Sequence, residues 1–361
     1  MPTLLLKTPD LKPGMMTAGA VWRNENLVIQ QNTVLTGNII RRLSSWGITT
    51  VRVKREDRPA TDSEPLTKSI QAQLRQEDPI FYEKYRAATT LAGKIFGYMR
   101  DHEDLPYGDL RKLANFDLYD LLQGKNVLGN LYKLKPYADY TFLHAVGVGI
   151  ISGLIGLWSG LGTEKIKILT LCGVMHDIGK SQIPFSILDK PGRLTPAEQQ
   201  MMNLHPQYGY YMTKSIRTIL PEVQQAILQH HERENGTGYP SKLMSAKIHP
   251  FAKIVAIADT YDALTTDKVY QKSVTPFAAM EILLDNMNVT LDKELCKVFI
   301  RNVLMSLIGA TVLLSDGSQA EVLELRDFMS TKPVVITANR EIRDLSYAPD
   351  LTVVEVLKFR D

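Results

Sequence analysis

Five of the seven histidines fall between positions 144 and 231, and three of them sit in doublets: His176 precedes Asp177, and His230 precedes His231. His205 lies between the two doublets and His144 ahead of both. Neutral imidazole is the commonest metal ligand, and a carboxylate offers two oxygens that can bridge neighbouring ions. Asp177 follows the apolar run Ile168 to Met175. A charged carboxylate entering a dry core is costly unless a cation or donors compensate it. One His-Asp doublet could be an ordinary satisfied core pair; five clustered imidazoles point instead to a metal site. The stretch after His231, Glu232 to Pro240, is turn chemistry, with glycines that permit positive φ and a proline that stiffens the exit. Such a loop suits the wall of a phosphate-binding cleft. A second acid, Asp259, ends another apolar stretch, with Asp262 three residues on and on the same helical face. Asp259 is the ligand candidate, and Asp262 has a supporting role.

These groups need helices to hold them. The run 168–175 is apolar on nearly every side and reads as a buried helix. Adjacent imidazoles sit about 100° apart on a helix, so His230 and His231 can reach one ion only at the end of the helix that begins near Pro221. Thr195-Pro196-Ala197-Glu198 is a capping box, and the helix it starts is expected to carry His205. Lys180, three residues after Asp177, would lie on the same side of the cleft if the helix continued, as a point charge for a phosphate. Tyr140 to Thr163 approaches the roughly 20 residues of a membrane span and has small-residue spacing at Gly149, Gly153, Gly156 and Gly160. Its glycines, Ser152, Ser159 and His144 favour a buried core helix.

The order His144, His176-Asp177-Ile178-Gly179-Lys180, His205, His230-His231-Glu232, Gly238-Tyr239-Pro240 and Ile257-Ala258-Asp259-Thr260-Tyr261-Asp262-Ala263-Leu264 resembles the HD-GYP phosphodiesterases. That resemblance implies a mainly α chain built on an all-helical HD domain, with two divalent ions, iron or manganese, as cofactors. It implies cyclic di-GMP as substrate, opened to linear pGpG with GMP as a further product. One ion would take His144, His176, Asp177 and Asp259, and the other Asp177, His205, His230 and His231. Such a pair lowers the pKa of a bridging water and supplies hydroxide for in-line attack. Lys180 would assist catalysis, and Lys180, Gly238, Tyr239, Pro240, Lys268 and Lys272 would contact substrate. Family members with three metals resemble one another in a Glu where this chain has Tyr140, which implies two ions here.

Two positions depart from the family pattern. Asn235 stands where the family usually has Asp. Thr266 to Gln271 stands where relatives that bind cyclic di-GMP carry an Arg-Pro-Tyr-Lys pattern: Lys268 keeps charge without the guanidinium fork, Gln271 has none, and Lys272 compensates in part. Another cyclic dinucleotide, or a silent scaffold that docks a diguanylate cyclase (GGDEF) protein, therefore stays open, as does a homodimer.

At 361 residues the chain exceeds one typical domain. The expected divisions are a small α+β N-terminal module with linker (1–65), a helical connector (66–126), the HD-GYP catalytic domain (127–303) and a β-rich appendage (304–361). In the module, 20–22 and 27–29 read as strands, 36–46 as a helix and 47–53 as a returning strand. In the connector, Tyr82, Tyr85, Ala88, Leu91, Ile95 and Met99 recur at helical spacing. In the appendage, 311–314 and 321–325 flank a turn and 333–336 adds a third strand. A net charge of +3 argues against wrapping of polymeric nucleic acid. Two cysteines without framework spacing fit a reducing cytoplasm. The apolar run at the N-terminus is too short for a signal peptide.

Overall fold

The computed structural model describes residues 3–54 apart from 12–14, 24–25, 32, 34 and 36, then 73–101, 105–134, 140–266 apart from 189, 191 and 215, then 273–327 and 330–359. They divide into one unit of 1–66 with 183–202 and another of 67–182 with 203–361. The first unit begins with a strand the sequence reading did not register, Thr3–Lys7 (β1). The hairpin Val21–Arg23 (β2) and Asn26–Ile29 (β3) follows, then the helix Gly37–Ser45 (α1) and the strand Thr50–Lys54 (β4). β4 returns antiparallel to β1, with Leu4 opposite Val53 and Leu6 opposite Val51. Period-two alternation sends Val51 and Val53 to one face, where they meet Ile39 and Leu43 of α1 in a small apolar core.

The capping box forms in this unit. The Thr195 N–H donates to Glu198 Oε2 at 2.7 Å, and the Glu198 N–H donates to Thr195 Oγ1 at 3.3 Å. The Lys190 ammonium, 2.5 Å from the same carboxylate, and the Thr195 N–H hold the Glu198 pKa down to about 2. A depressed carboxyl contributes its cap above its ordinary value of 4.5 and loses it as pH falls through about 2. Hydrogen exchange at the Thr195 amide, corrected for intrinsic rate, should therefore lose protection across that window, and Glu198→Gln should remove the dependence.

The second unit is mainly helical. Pro79–Asp101 (α2) buries Phe81, Tyr85, Ala88, Ala92, Ile95 and Met99. Tyr82 and Leu91, counted in the expected stripe, are only half-buried, so the true face runs through the neighbouring residues 81 and 92. Tyr140–Trp158 (α3) and Thr163–Met175 (α4) cross in close contact, which Gly149, Gly153 and Gly156 serve, whereas Gly160 lies past the end of α3. A Cβ on Gly173 would lie 2.7 Å from Gly149 Cα and 2.7 Å from the Val148 carbonyl oxygen. No helix among the described residues is long and apolar enough to cross a membrane.

His205–Lys214 (α5), Pro221–Gln229 (α6) and Pro250–Thr265 (α7) complete the frame of the site. The short helix Pro196–Met202 stops before His205, contrary to the expectation that one helix runs through it. Pro206 explains the break: it cannot donate to a preceding turn and instead takes the second position of a new helix. Pro276–Asn286 (α8), capped by Thr275, and Lys293–Ser306 (α9), capped by Asp292, close the bundle. The last segment forms a five-stranded antiparallel sheet of Thr311–Leu314 (β5), Gln319–Glu324 (β6), Val334–Thr337 (β7), Ile342–Asp344 (β8) and Val353–Lys358 (β9), in the order β8-β7-β6-β5-β9. β8 and β9 escaped the sequence reading because they are edge strands; β8 has three residues, and in β9 only Val356 is buried.

Candidate metal centre

Three helix ends and two positions inside helices deliver the polar cluster. α4 ends at Met175, and His176 keeps helical dihedrals as its C-cap, so its Nδ1 meets the Gly173 carbonyl at 2.7 Å. That bond places the proton on Nδ1 and leaves Nε2 to face Asp177 Oδ2 at 3.2 Å. His230 repeats the device at the end of α6, with Nδ1 2.8 Å from the Ile227 carbonyl. His205 opens α5, its Nε2 3.2 Å from Asp177 Oδ1 and 3.2 Å from His230 Nε2. From the second turn of α3, His144 presents Nε2 to Asp259 Oδ1 at 3.1 Å, while its Nδ1 is held by Asp262 Oδ2 at 2.7 Å. The supporting role expected of Asp262 thus takes a definite form, orienting an imidazole from behind. Gly147 makes room for it, since a Cβ there would lie 2.5 Å from Asp262 Oδ1.

Two donor groups result, each with its atoms within 4.8 Å of one another: Asp177, His205, His230 and His231, and His144, His176 and Asp259. Asp177 lies between them, Oδ1 toward the first group and Oδ2 toward the second. Burial opposes the charge on Asp177, but the neighbouring His176 ring and the Lys180 ammonium outweigh it and hold the carboxyl well below its usual range. Asp259 is likewise held low against burial, chiefly by His144. Burial lowers the pKa of His144, but the two aspartates beside it raise it to about 9. Burial and the surrounding imidazoles push His230 well down, and burial does the same to His231. His176 Nε2 and Asp177 Oδ1 are buried with no hydrogen-bond partner among the described residues. Orphaned buried polar atoms are costly, and here they converge with nitrogen and oxygen donors suited to first-row divalent ions. The residues fit a metal centre.

Lys180 does not sit on a continuing α-helix. It lies in the 3-10 turn Ile178–Gln182, and its ammonium donates to Asp177 Oδ2. That turn runs against α5 so closely that a Cβ on Gly179 would overlap the His205 carbonyl and the Gly209 amide. This glycine is what brings Asp177 and His205 together, and the sequence reading assigned it no role.

Beyond His231 the chain forms a loop whose tip returns to the cluster. The Tyr239 ring stacks on His231 with centroids 4.6 Å apart, and the Tyr239 N–H donates to the His231 carbonyl at 3.2 Å. Glu232 is buried, and its two oxygens accept the amides of Ser241 at 2.7 Å and Leu243 at 2.9 Å. A Cβ on Gly238 would lie 2.5 Å from Glu232 Cα and 2.5 Å from the Arg233 nitrogen, so only glycine fits there.

The model of a family described as an HD domain matches residues 148–295. The cyclic di-GMP phosphodiesterase PA4108 of Pseudomonas aeruginosa is 34% identical over 204 residues, 56% of this chain and 49% of that protein. The 3'3'-cGAMP-specific phosphodiesterase 1 of Vibrio cholerae is 33% identical over 168 residues, 46% of this chain and 38% of that protein. Among solved structures, the HDG"Y"P protein Bd1817 of Bdellovibrio bacteriovorus shares the fold with a TM-score of 0.50 at 18% identity, over 82% of this chain and 98% of that one. Residues 148–295 form an HD domain, and the chain is similar to proteins of the HD-GYP type. It spans about half the length or less of the curated relatives it matches.

The HD-GYP loop accounts for one of the two departures. Asn235 Oδ1 accepts the Thr237 N–H at 3.1 Å and the Thr237 hydroxyl at 2.7 Å. An aspartate oxygen would accept the same bonds, so the position shapes a turn and its lost charge leaves the turn intact. Lys268, Gln271 and Lys272 lie outside the described residues, as does the side chain of Tyr140. Sequence reasoning also missed the burial of Glu232, for a lone acid in a turn gives no signal of it. Between the two amides that Glu232 holds, Lys242 adopts φ 53°, a left-handed conformation that L side chains rarely take. Lys242→Gly should relieve that strain and raise stability by about 1 kcal/mol, read as a higher urea midpoint at unchanged m-value.

Proposed function

We propose that this chain is a metal-dependent phosphodiesterase that opens cyclic di-GMP to linear pGpG, with GMP as a further product, in bacterial second-messenger signalling. The observation that carries the reading is Asp177, a buried carboxylate whose two oxygens face two separate donor groups. In this reading His144, His176, Asp177 and Asp259 hold one divalent ion, and Asp177, His205, His230 and His231 hold the second, as iron or manganese. When bound, such ions acidify water and neutralise charge on a phosphodiester. The chain's own groups do the rest. Asp262 and the carbonyls of Gly173 and Ile227 fix which imidazole nitrogens face the site. Lys180 keeps a positive charge at its edge and can pass from Asp177 to a non-bridging phosphate oxygen. Gly238, Tyr239 and Pro240 form a wall that Glu232 braces, and Lys268 and Lys272 contribute further cations for the dinucleotide. Both cysteines are buried free thiols, in keeping with a reaction in the cytoplasm.

The name of PA4108 supports cyclic di-GMP as the substrate. A second reading, a different cyclic dinucleotide, is favoured by Lys268 and Gln271 in the departing segment and by the cGAMP-specific relative. Chromatography of products separates them. Protein purified anaerobically, reconstituted with iron or manganese and assayed for metal content is incubated with cyclic di-GMP, then with 3'3'-cGAMP. Linear pGpG or GMP from the first substrate in preference to the second supports the proposal. Turnover of cGAMP alone supports the second reading, and no product from fully metallated protein overturns both.

A further inference from the structure

The HD-GYP loop is held at its base by one cation that belongs to no donor group. Lys253 stands one turn inside α7 with its side chain only 14% exposed. Its ammonium lies 3.1 Å from Glu234 Oε1 and 3.2 Å from Glu234 Oε2, 3.2 Å from Ser245 Oγ and 3.1 Å from Asp292 Oδ2. Glu234 is on the limb that enters the loop and Ser245 on the limb that leaves it. The limbs also meet directly, since the Ser245 N–H donates to the Glu234 carbonyl at 3.0 Å. Asp292 caps α9 through the Leu295 amide at 3.1 Å, so the third partner is fixed to the bundle. Two partly buried carboxylates therefore share a single ammonium. Without it, like charges in a poorly solvated setting would face each other at the base of the loop, and removing one partner of such a group leaves the others unpaired. Burial works against the charge on Lys253, but Asp292 and Glu234 more than offset it and keep the ammonium protonated.

The same helix carries Asp259 and Asp262, six and nine residues further on. Its start is tied back to the cluster as well: His249 caps it through the Phe251 amide at 3.2 Å, and the His249 N–H donates to Gln229 Oε1 at 2.7 Å, next to His230. One rigid rod thus connects the base of the loop to the donor groups.

We propose that Lys253 is a positioning residue that clamps both limbs of the loop to α7 and so sets where Tyr239 and Pro240 stand for a bound substrate. The proposal rests on the phosphodiesterase reading for its kinetic consequence and on geometry alone for its structural one. In Lys253→Met and in Glu234→Gln, hydrogen exchange across 232–245 should accelerate while metal content stays at the wild-type level. KM for the cyclic dinucleotide should rise about tenfold with kcat changed less than about threefold, the mark of lost substrate positioning. Lys253→Arg keeps a cation for both carboxylates and should restore both readouts. Unchanged exchange and KM in metal-replete Lys253→Met overturn the clamp, and if that variant does not fold, the same result in Glu234→Gln overturns it. If the wild-type protein hydrolyses no cyclic dinucleotide, the functional reading fails while the exchange experiment still decides the clamp.

Discussion

Asp177→Ala is expected to bind neither ion and to lose at least about 10³-fold in phosphodiesterase rate, roughly 4 kcal/mol of transition-state stabilisation. Each of the other donors belongs to one group, but Asp177 faces both, with Oδ1 beside His205 and Oδ2 beside His176. Truncating it removes a shared wall. It also leaves the Lys180 ammonium without the carboxylate it donates to, and the imidazoles of both groups without the anion that favours cation binding. Metal analysis together with product chromatography tests this. Two ions per chain in the variant would show that Asp177 is not the shared ligand. By contrast, His231→Ala touches one group only and should leave the His144, His176 and Asp259 group able to hold its ion.

Gly179→Ala should cost about 3 kcal/mol of stability and, in protein that still folds, about 10²-fold in rate. The added Cβ would meet backbone on α5, at the His205 carbonyl and the Gly209 amide, and backbone cannot yield by changing rotamer. The 3-10 turn must therefore move away from α5. Asp177 precedes that turn by one residue and His205 opens α5, so the 3.2 Å approach of Asp177 Oδ1 to His205 Nε2 opens with it. Thermal unfolding and metal content report the two consequences separately. Wild-type stability in the variant would show that the two segments can separate freely.

Residue types and their order carried much of this. The doublets His176-Asp177 and His230-His231, the apolar runs that end at an acid, and the turn residues before Pro240 are local patterns, because metal-donor chemistry and turn chemistry are properties of the side chains themselves. The buried helix expected over 140–163 was legible as far as Trp158; Gly160, at φ 73°, turns the chain before the next helix begins at Thr163. Strands β1, β8 and β9 were not legible, since an edge strand declares itself only through its partner. Nor was the end of the helix before His205, where capping chemistry at Thr195 started an element that Pro206 then cut short.

What the tertiary structure alone decided is the sorting of those groups. Whether Asp259 or Asp262 faces the cluster depends on how α7 crosses α3, and that crossing puts Asp259 on Nε2 of His144 and Asp262 on its Nδ1. Close approach is decided by backbone on another segment, which is why the tight fit of Gly179 against His205 and of Gly238 against Glu232 has no signal in the sequence. Charge balance is settled in the same way: Lys253, Glu234 and Asp292 are scattered acids and a base along the chain, and only the fold makes them one group. Chemistry is written in residue types, but contacts between residues far apart in sequence depend on packing, which no local pattern encodes.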